Sequence, residues 1–68
     1  MTRDEWLTEF AEKLGLDPPT EAEIDALLDI AATAAHASER TAAPIACWLA
    51  GRSERPLDEL RDAAEQVE

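Results

Sequence analysis

The sequence predicts an all-α protein, a compact bundle of four short helices in which the second helix is central. Hydrophobic residues recur every three to four positions, and no stretch shows the alternation of apolar and polar residues that strands show. Proline and glycine divide the chain into four segments, with helices expected at about residues 3–14, 21–38, 43–50 and 56–67. Because the chain has only 68 residues, we expect a single helical domain over residues 1–68.

Helix 1 begins with a capping-box pattern, in which the Thr2 hydroxyl covers a free backbone amide and Glu5 reaches back to the first amide. Gly15 is expected to end the helix in the left-handed conformation that glycine adopts without strain. The apolar face of this helix repeats at one-turn spacing and consists of Trp6, Phe10 and Leu14.

Helix 2 starts after Pro18 and Pro19 with a second capping box, formed by Thr20 and Glu23. Its apolar side covers roughly half of the circumference, more than the usual stripe, so helix 2 needs at least two neighbours. Because the links are short, we expect helix 1 to pack antiparallel along helix 2. The residues expected on the buried side are Ile24, Leu27, Leu28, Ala31, Ala34 and Ala35, and Ile30 and Ala37 widen this side.

Helix 3 has Pro44 in its first turn and is expected to end at Gly51. No charged residue occurs from Thr41 to Gly51, so this helix is apolar on all sides. Such a helix is either buried on all sides or contacts another molecule. Helix 4 follows Pro56 and carries the narrow apolar stripe of an edge helix, made of Leu57, Leu60, Ala64 and Val67.

Composition excludes several classes of function. The net charge is −10, with six basic and sixteen acidic residues, which argues against binding to nucleic acid or to anionic lipid. No apolar run is long enough for a membrane span and the N-terminal residues do not resemble a signal peptide, so we expect a cytoplasmic protein. The single cysteine excludes an internal disulfide and any multi-cysteine metal site.

The side chains that could carry chemistry have simpler structural interpretations. Most carboxylates lie on polar helix faces, where charged residues are ordinarily solvated, and Cys47 has apolar neighbours that favour an unreactive thiol. The serines at 38 and 53 lack the Asp-Ser-Leu motif of acyl carrier proteins. We therefore expect no enzymatic activity, no metal and no cofactor.

Two candidate sites remain. The first is a protein interface on helix 3, formed by Ile45, Trp48 and Leu49 with Arg40 and Arg52 at its rim. The competing interpretation places Trp48 in the core, because a small domain with few large side chains needs it there. Of the 31 hydrophobic residues, 14 are alanine.

The second candidate is an anion-binding or catalytic auxiliary site that uses His36, Arg40 and Arg52. Imidazolium and guanidinium groups bind phosphate or carboxylate. The competing interpretation of His36 and Arg40 is structural, because cations near the end of a helix complement its dipole.

Several segments resemble a small actinobacterial helical domain family of unknown function. Its members occur alone or as C-terminal appendages of molybdenum-cofactor guanylyltransferase-like enzymes, which attach GMP to molybdopterin. The family motif Arg-Pro-Ala-Ala-Pro has Thr41 in place of its first proline here. The resemblance spans about residues 4–52 and rests on Trp6-Leu7, Leu14 to Asp17, Ile24 to Asp29, Ala34-Ala35-His36 and Arg40 to Ile45.

The resemblance implies an accessory or protein–protein interaction module associated with molybdenum-cofactor biosynthesis, with the nucleotidyltransferase as a candidate partner. The family supplies no catalytic residues. The chain has neither a glycine-rich phosphate loop nor a lysine placed to bind phosphates, so it is not the transferase itself. We expect a monomer or a weak homodimer.

Overall fold

The computed structural model describes residues 1–67, which form four α-helices and no strand. The all-α bundle predicted from the sequence is confirmed, and the second helix is central to it. Within the described residues, no helix combines the length and the hydrophobicity needed to cross a membrane. The helices are α1 (Arg3–Leu14), α2 (Glu21–Ala37), α3 (Ala42–Ser53) and α4 (Leu57–Glu65).

Both predicted capping boxes are present. The Thr2 hydroxyl accepts a hydrogen bond from the Glu5 amide at 3.1 Å, and the Glu5 carboxylate accepts one from the Thr2 amide at 3.0 Å. Thr20 and Glu23 make the same pair of bonds, at 3.1 and 2.7 Å. The Thr2 backbone amide first, and then the Thr2 hydroxyl, hold the pKa of Glu5 below its ordinary value, because hydrogen bonds to the carboxylate stabilise its charged form.

The C-terminal ends of α1 and α3 differ from each other. Gly15 ends α1 as predicted, with a φ of 72°, and the Leu16 amide donates to the Ala11 carbonyl. The predicted end of helix 3 at Gly51 is wrong, because α3 continues to Ser53 and Glu54 takes the left-handed position with a φ of 58°. The Ser53 hydroxyl stabilises this end, since it donates to the Ala50 carbonyl and accepts from the Arg55 amide.

We predict that Gly51→Ala raises the free energy of unfolding by about 0.5–1 kcal/mol, because Gly51 lies inside α3 and alanine favours helix. An added Cβ at Gly51 has no neighbouring atom within 4 Å. The control is Gly15→Ala, which forces a Cβ into left-handed backbone and should lower stability by about 1–2 kcal/mol. Urea titrations measure both changes, and a loss of stability in Gly51→Ala would place the end of the helix at Gly51 after all.

The core lies where α3 and α4 pack against α2. The Cys47 sulfur of α3 lies 3.8 Å from the Leu27 carbonyl oxygen of α2. On the other side of α2, the Arg61 Nε of α4 lies 3.2 Å from an Asp29 carboxylate oxygen, an ion pair without hydrogen-bond geometry. The buried hydrophobic residues of the described chain are few and mostly small: Ala11, Ala26, Ile30 and Ala50.

The buried face of α2 differs from the prediction. Leu28 was expected in the core but is 51% exposed, whereas Ile30 is only 4% exposed. The most buried positions of α2 are Ala26 and Ile30, so the buried arc is centred near the margin of the expected one. Since half of the circumference of α2 is apolar, hydrophobicity alone permits several orientations. The observed one places small residues such as Ala26 against the neighbouring helices, which can then approach closely.

The expected antiparallel packing of helix 1 along helix 2 is not observed, because α1 makes no extended contact with any other helix. Leu7 of α1 and Ile24 of α2 line a small cleft together with Pro18 and Pro19. The two prolines favour an extended link, which does not fold α1 back along α2.

Candidate functional site

The helix that carries the uncharged segment, α3, begins without a side-chain cap. Thr41 makes no capping hydrogen bond, and the Ala42 and Ala43 amides instead donate to the Glu39 and Arg40 carbonyls in a tight turn. Pro44 follows in the first turn of α3, as predicted, where its missing amide leaves no donor unpaired. The helix therefore starts before the candidate interface residues and presents them in regular helical spacing.

The exposed face of α3, which we call the helix-3 face, consists of Ile45, Trp48 and Leu49. All three side chains are more than half exposed, and Trp48 is 59% exposed. The interpretation of Trp48 as a core residue is therefore wrong for this chain. The sequence could not separate the two interpretations, because α3 is apolar on all sides and either side could have faced α2.

Arg52 contacts the helix-3 face directly. Its guanidinium carbon lies 4.6 Å from the centre of the Trp48 ring, a cation–π contact across one turn of α3. Arg40 lies two residues before the start of α3 and Arg52 lies in its last turn, and the helix rises about 15 Å between Ala42 and Arg52 at 1.5 Å per residue. Arg52 thus borders one end of the helix-3 face and Arg40 lies beyond the other end.

The alternative set of His36, Arg40 and Arg52 does not meet in a cleft. His36 is exposed in the last turn of α2, and Arg40 is exposed in the turn before α3. None of the three residues lines the main clefts of the described chain, which lie between α2, α3 and α4 and beside α1.

Cys47 lies on the side of α3 that faces α2, away from the helix-3 face. The thiol is half-buried and directed at the Leu27 carbonyl. Burial raises the pKa of the Cys47 thiol above its ordinary value, because the charged thiolate is poorly solvated there. A smaller thiolate population disfavours nucleophilic chemistry at this position.

Among residues 1–67, no group of three histidine, cysteine, aspartate or glutamate side chains lies close enough to hold a metal ion. The family described as "Domain of unknown function (DUF6457)" matches residues 1–68. The chain belongs to this family. The match extends over the whole chain, beyond the residues 4–52 that carry the resemblance seen in the sequence. No curated protein and no solved structure shows significant similarity to it.

The chain has a second exposed apolar surface, which lies on α1. We call it the helix-1 stripe, and it consists of Trp6, Phe10 and Leu14. These residues were expected to be buried against helix 2, but each is about half exposed, and Trp6 is 53% exposed. The Trp6 and Phe10 rings contact each other, with centroids 5.1 Å apart. The expectation failed because α1 does not pack along α2.

A groove of about 550 Å³ opens between α2, α3 and α4 in the DUF6457 chain, and we call it the alanine-lined groove. Sequence reasoning missed it. The signal was the alanine content of the three helices, since small side chains at facing positions leave space between backbones. Its lining includes Ile30, Ala34, Ala50, Leu60, Ala63 and Ala64.

Proposed function

We propose that this chain is a non-enzymatic accessory module that binds a partner protein through the helix-3 face. The observation that carries the proposal is the exposure of Ile45, Trp48 and Leu49 in the longest segment without charge. A chain with net charge −10 keeps charged residues away from this face, and depletion of charge is typical of the centre of an interface.

Trp48 and Arg52 strengthen the proposal, because tryptophan and arginine are the residues that most often dominate binding energy. The cation–π contact restricts the Trp48 ring before a partner arrives. Less side-chain entropy is then lost on binding. Arg52 and Arg40 supply a polar rim at either end of the face, the usual arrangement around an apolar centre.

For the partner, we propose a molybdenum-cofactor guanylyltransferase-like enzyme in an actinobacterial cytoplasm. The support is the resemblance of residues 4–52 to domains that are appended to such enzymes. The module would act beside the enzyme and leave nucleotide chemistry to it, because the chain has no glycine-rich phosphate loop. The anion-binding alternative lacks a supporting observation, since none of His36, Arg40 and Arg52 lines a main cleft.

The test is titration of the purified chain against the guanylyltransferase of the same organism, measured by calorimetry. We predict that Trp48→Ala weakens binding at least about 30-fold, the effect of losing an interface hot spot. The matched control is Trp6→Ala, because Trp6 is also a half-exposed tryptophan but lies on α1, and it should leave the affinity unchanged.

Circular dichroism of the Trp48→Ala variant distinguishes loss of binding from loss of folding. Because the side chain is 59% exposed, its removal should lower stability by less than about 1 kcal/mol. Equal affinity of Trp48→Ala and the natural chain would contradict the helix-3 face as the interface. Absence of binding by the natural chain would contradict this choice of partner.

A further inference from the structure

We propose that two copies of this chain form a symmetric dimer in which the helix-1 stripe of each copy fills the alanine-lined groove of the other. The two surfaces share only Leu49 with the helix-3 face, so the proposal does not depend on the proposed partner enzyme. It is supported by the surface area of the chain, by the two unpartnered surfaces and by the distribution of charge.

The surface area is too large for a monomer of this size. The chain exposes 5512 Å², whereas a folded monomer of 7.4 kDa is expected to expose roughly 4,200 Å². The radius of gyration is 12.4 Å, against about 11 Å for a compact chain of this length. If each of two copies covers its excess of about 1,300 Å², the dimer buries about 2,600 Å² of surface in total. This area lies within the range of stable homodimers.

The helix-1 stripe supplies the large side chains that the core lacks. Trp6 and Phe10 form a contacting aromatic pair on the outer side of α1, while Ala11 and Leu7 face inward. Aromatic side chains of this size bury about 150–250 Å² each when they are covered. No other helix of the described chain packs along α1, so its aromatic pair is left in water.

The alanine-lined groove supplies the complementary space. Its walls carry small side chains such as Ala34, Ala63 and Ala64, so a neighbouring helix can insert bulky residues between them. The stripe thus offers large aromatic side chains, and the groove offers a wide space lined mostly by small ones. A two-fold axis places the stripe of each copy in the groove of the other. Both surfaces of both copies are then occupied, so the assembly closes at two copies.

Charge favours this pairing over the pairing of α1 with a second α1. The polar side of α1 carries Glu5, Glu9 and Glu12. Residues 30–57, which form the α2 and α3 walls of the groove, have a net charge of +1, whereas residues 1–29 have −7 and residues 58–68, which include the α4 wall, have −4. Docking α1 on the groove therefore brings its carboxylates beside a less acidic surface than a second α1 would offer.

The first test is analytical ultracentrifugation of the natural chain and of two variants, Phe10→Glu in the stripe and Ala63→Glu in the groove. The natural chain should sediment as a dimer. Each substitution affects both equivalent contacts, so each should weaken dimerisation about 1,000-fold, from about 30-fold per contact. An equimolar mixture of the two variants should recover a dimer weaker than the natural one, because one of its two contacts joins an unchanged stripe to an unchanged groove.

The control is Trp48→Ala, which should remain dimeric because Trp48 belongs to neither surface. A dimer is expected in the mixture of Phe10→Glu and Ala63→Glu only if the helix-1 stripe of one copy docks in the alanine-lined groove of the other. If Phe10→Glu abolishes the dimer while Ala63→Glu does not, α1 pairs with α1 and the groove assignment is overturned. Should a variant lose its helical dichroism, the melting temperature of the natural chain decides, since a dimer melts at higher temperature as concentration rises about a hundredfold. A monomer whose melting temperature does not change with concentration would overturn the proposal.

Discussion

Ile30→Ala is expected to lower the free energy of unfolding by about 2–5 kcal/mol, the range for truncating a buried isoleucine. Ile30 is the largest side chain among the buried residues and is 4% exposed at the contact of α2 with its neighbours. A domain of this length has a total stability of about 3–10 kcal/mol. The variant should therefore be largely unfolded, which urea titration followed by circular dichroism at 222 nm measures.

Leu28→Ala is the matched control, because it removes a similar side chain from the same helix at a site that is 51% exposed. Its expected cost is below about 1 kcal/mol. The ratio of the two effects reports the orientation of α2. If Leu28→Ala costs more than Ile30→Ala, the orientation inferred from hydrophobicity is correct and the observed one is not.

Ala26→Asp is expected to cost about 3–5 kcal/mol and to unfold the chain, because it places a charge without a partner in the core. Ala26 is only 3% exposed. Ala32→Asp is the control, since Ala32 is exposed on the same helix and the same change there should cost less than about 1 kcal/mol.

Melting temperatures of the two variants, measured at the same protein concentration, provide the comparison. Equal melting temperatures of Ala26→Asp and Ala32→Asp would contradict the packing of α2 at Ala26. A neutral substitution, Ala26→Ser, gives an independent measure of the same contact: it should lower stability by less than Ala26→Asp, because a hydroxyl is less costly to bury than a carboxylate.

Local features of the fold were predictable because they depend on neighbours in sequence. Thr2, Glu5, Thr20 and Glu23 form their capping boxes within four residues, and Gly15 adopts a conformation that any helix end favours. Features that depend on tertiary packing were less predictable. The orientation of α2 was missed because an apolar arc of half the circumference does not define one buried direction.

The end of α3 illustrates the same limit. Gly51 is an ordinary signal for a helix end, but the hydrogen bonds of the Ser53 hydroxyl allow α3 to continue and put Glu54 in the left-handed position. For the candidate site, the sequence identified the uncharged segment but favoured a buried Trp48. Exposure depends on which side of α3 faces α2, and Cys47 and Ala50, both small, occupy that side.

The exposure of both tryptophans has a spectroscopic consequence. Indole emission shifts to shorter wavelength when water is removed from the ring, and Trp6 and Trp48 are both already in contact with water. Fluorescence is therefore a weak monitor of unfolding of a single copy of the chain but a sensitive monitor of association. Because each tryptophan belongs to a different surface, the variants Trp6→Phe and Trp48→Phe leave a single emitter on the helix-3 face or on the helix-1 stripe. The chain thus carries a separate intrinsic optical probe for each of its two proposed contacts.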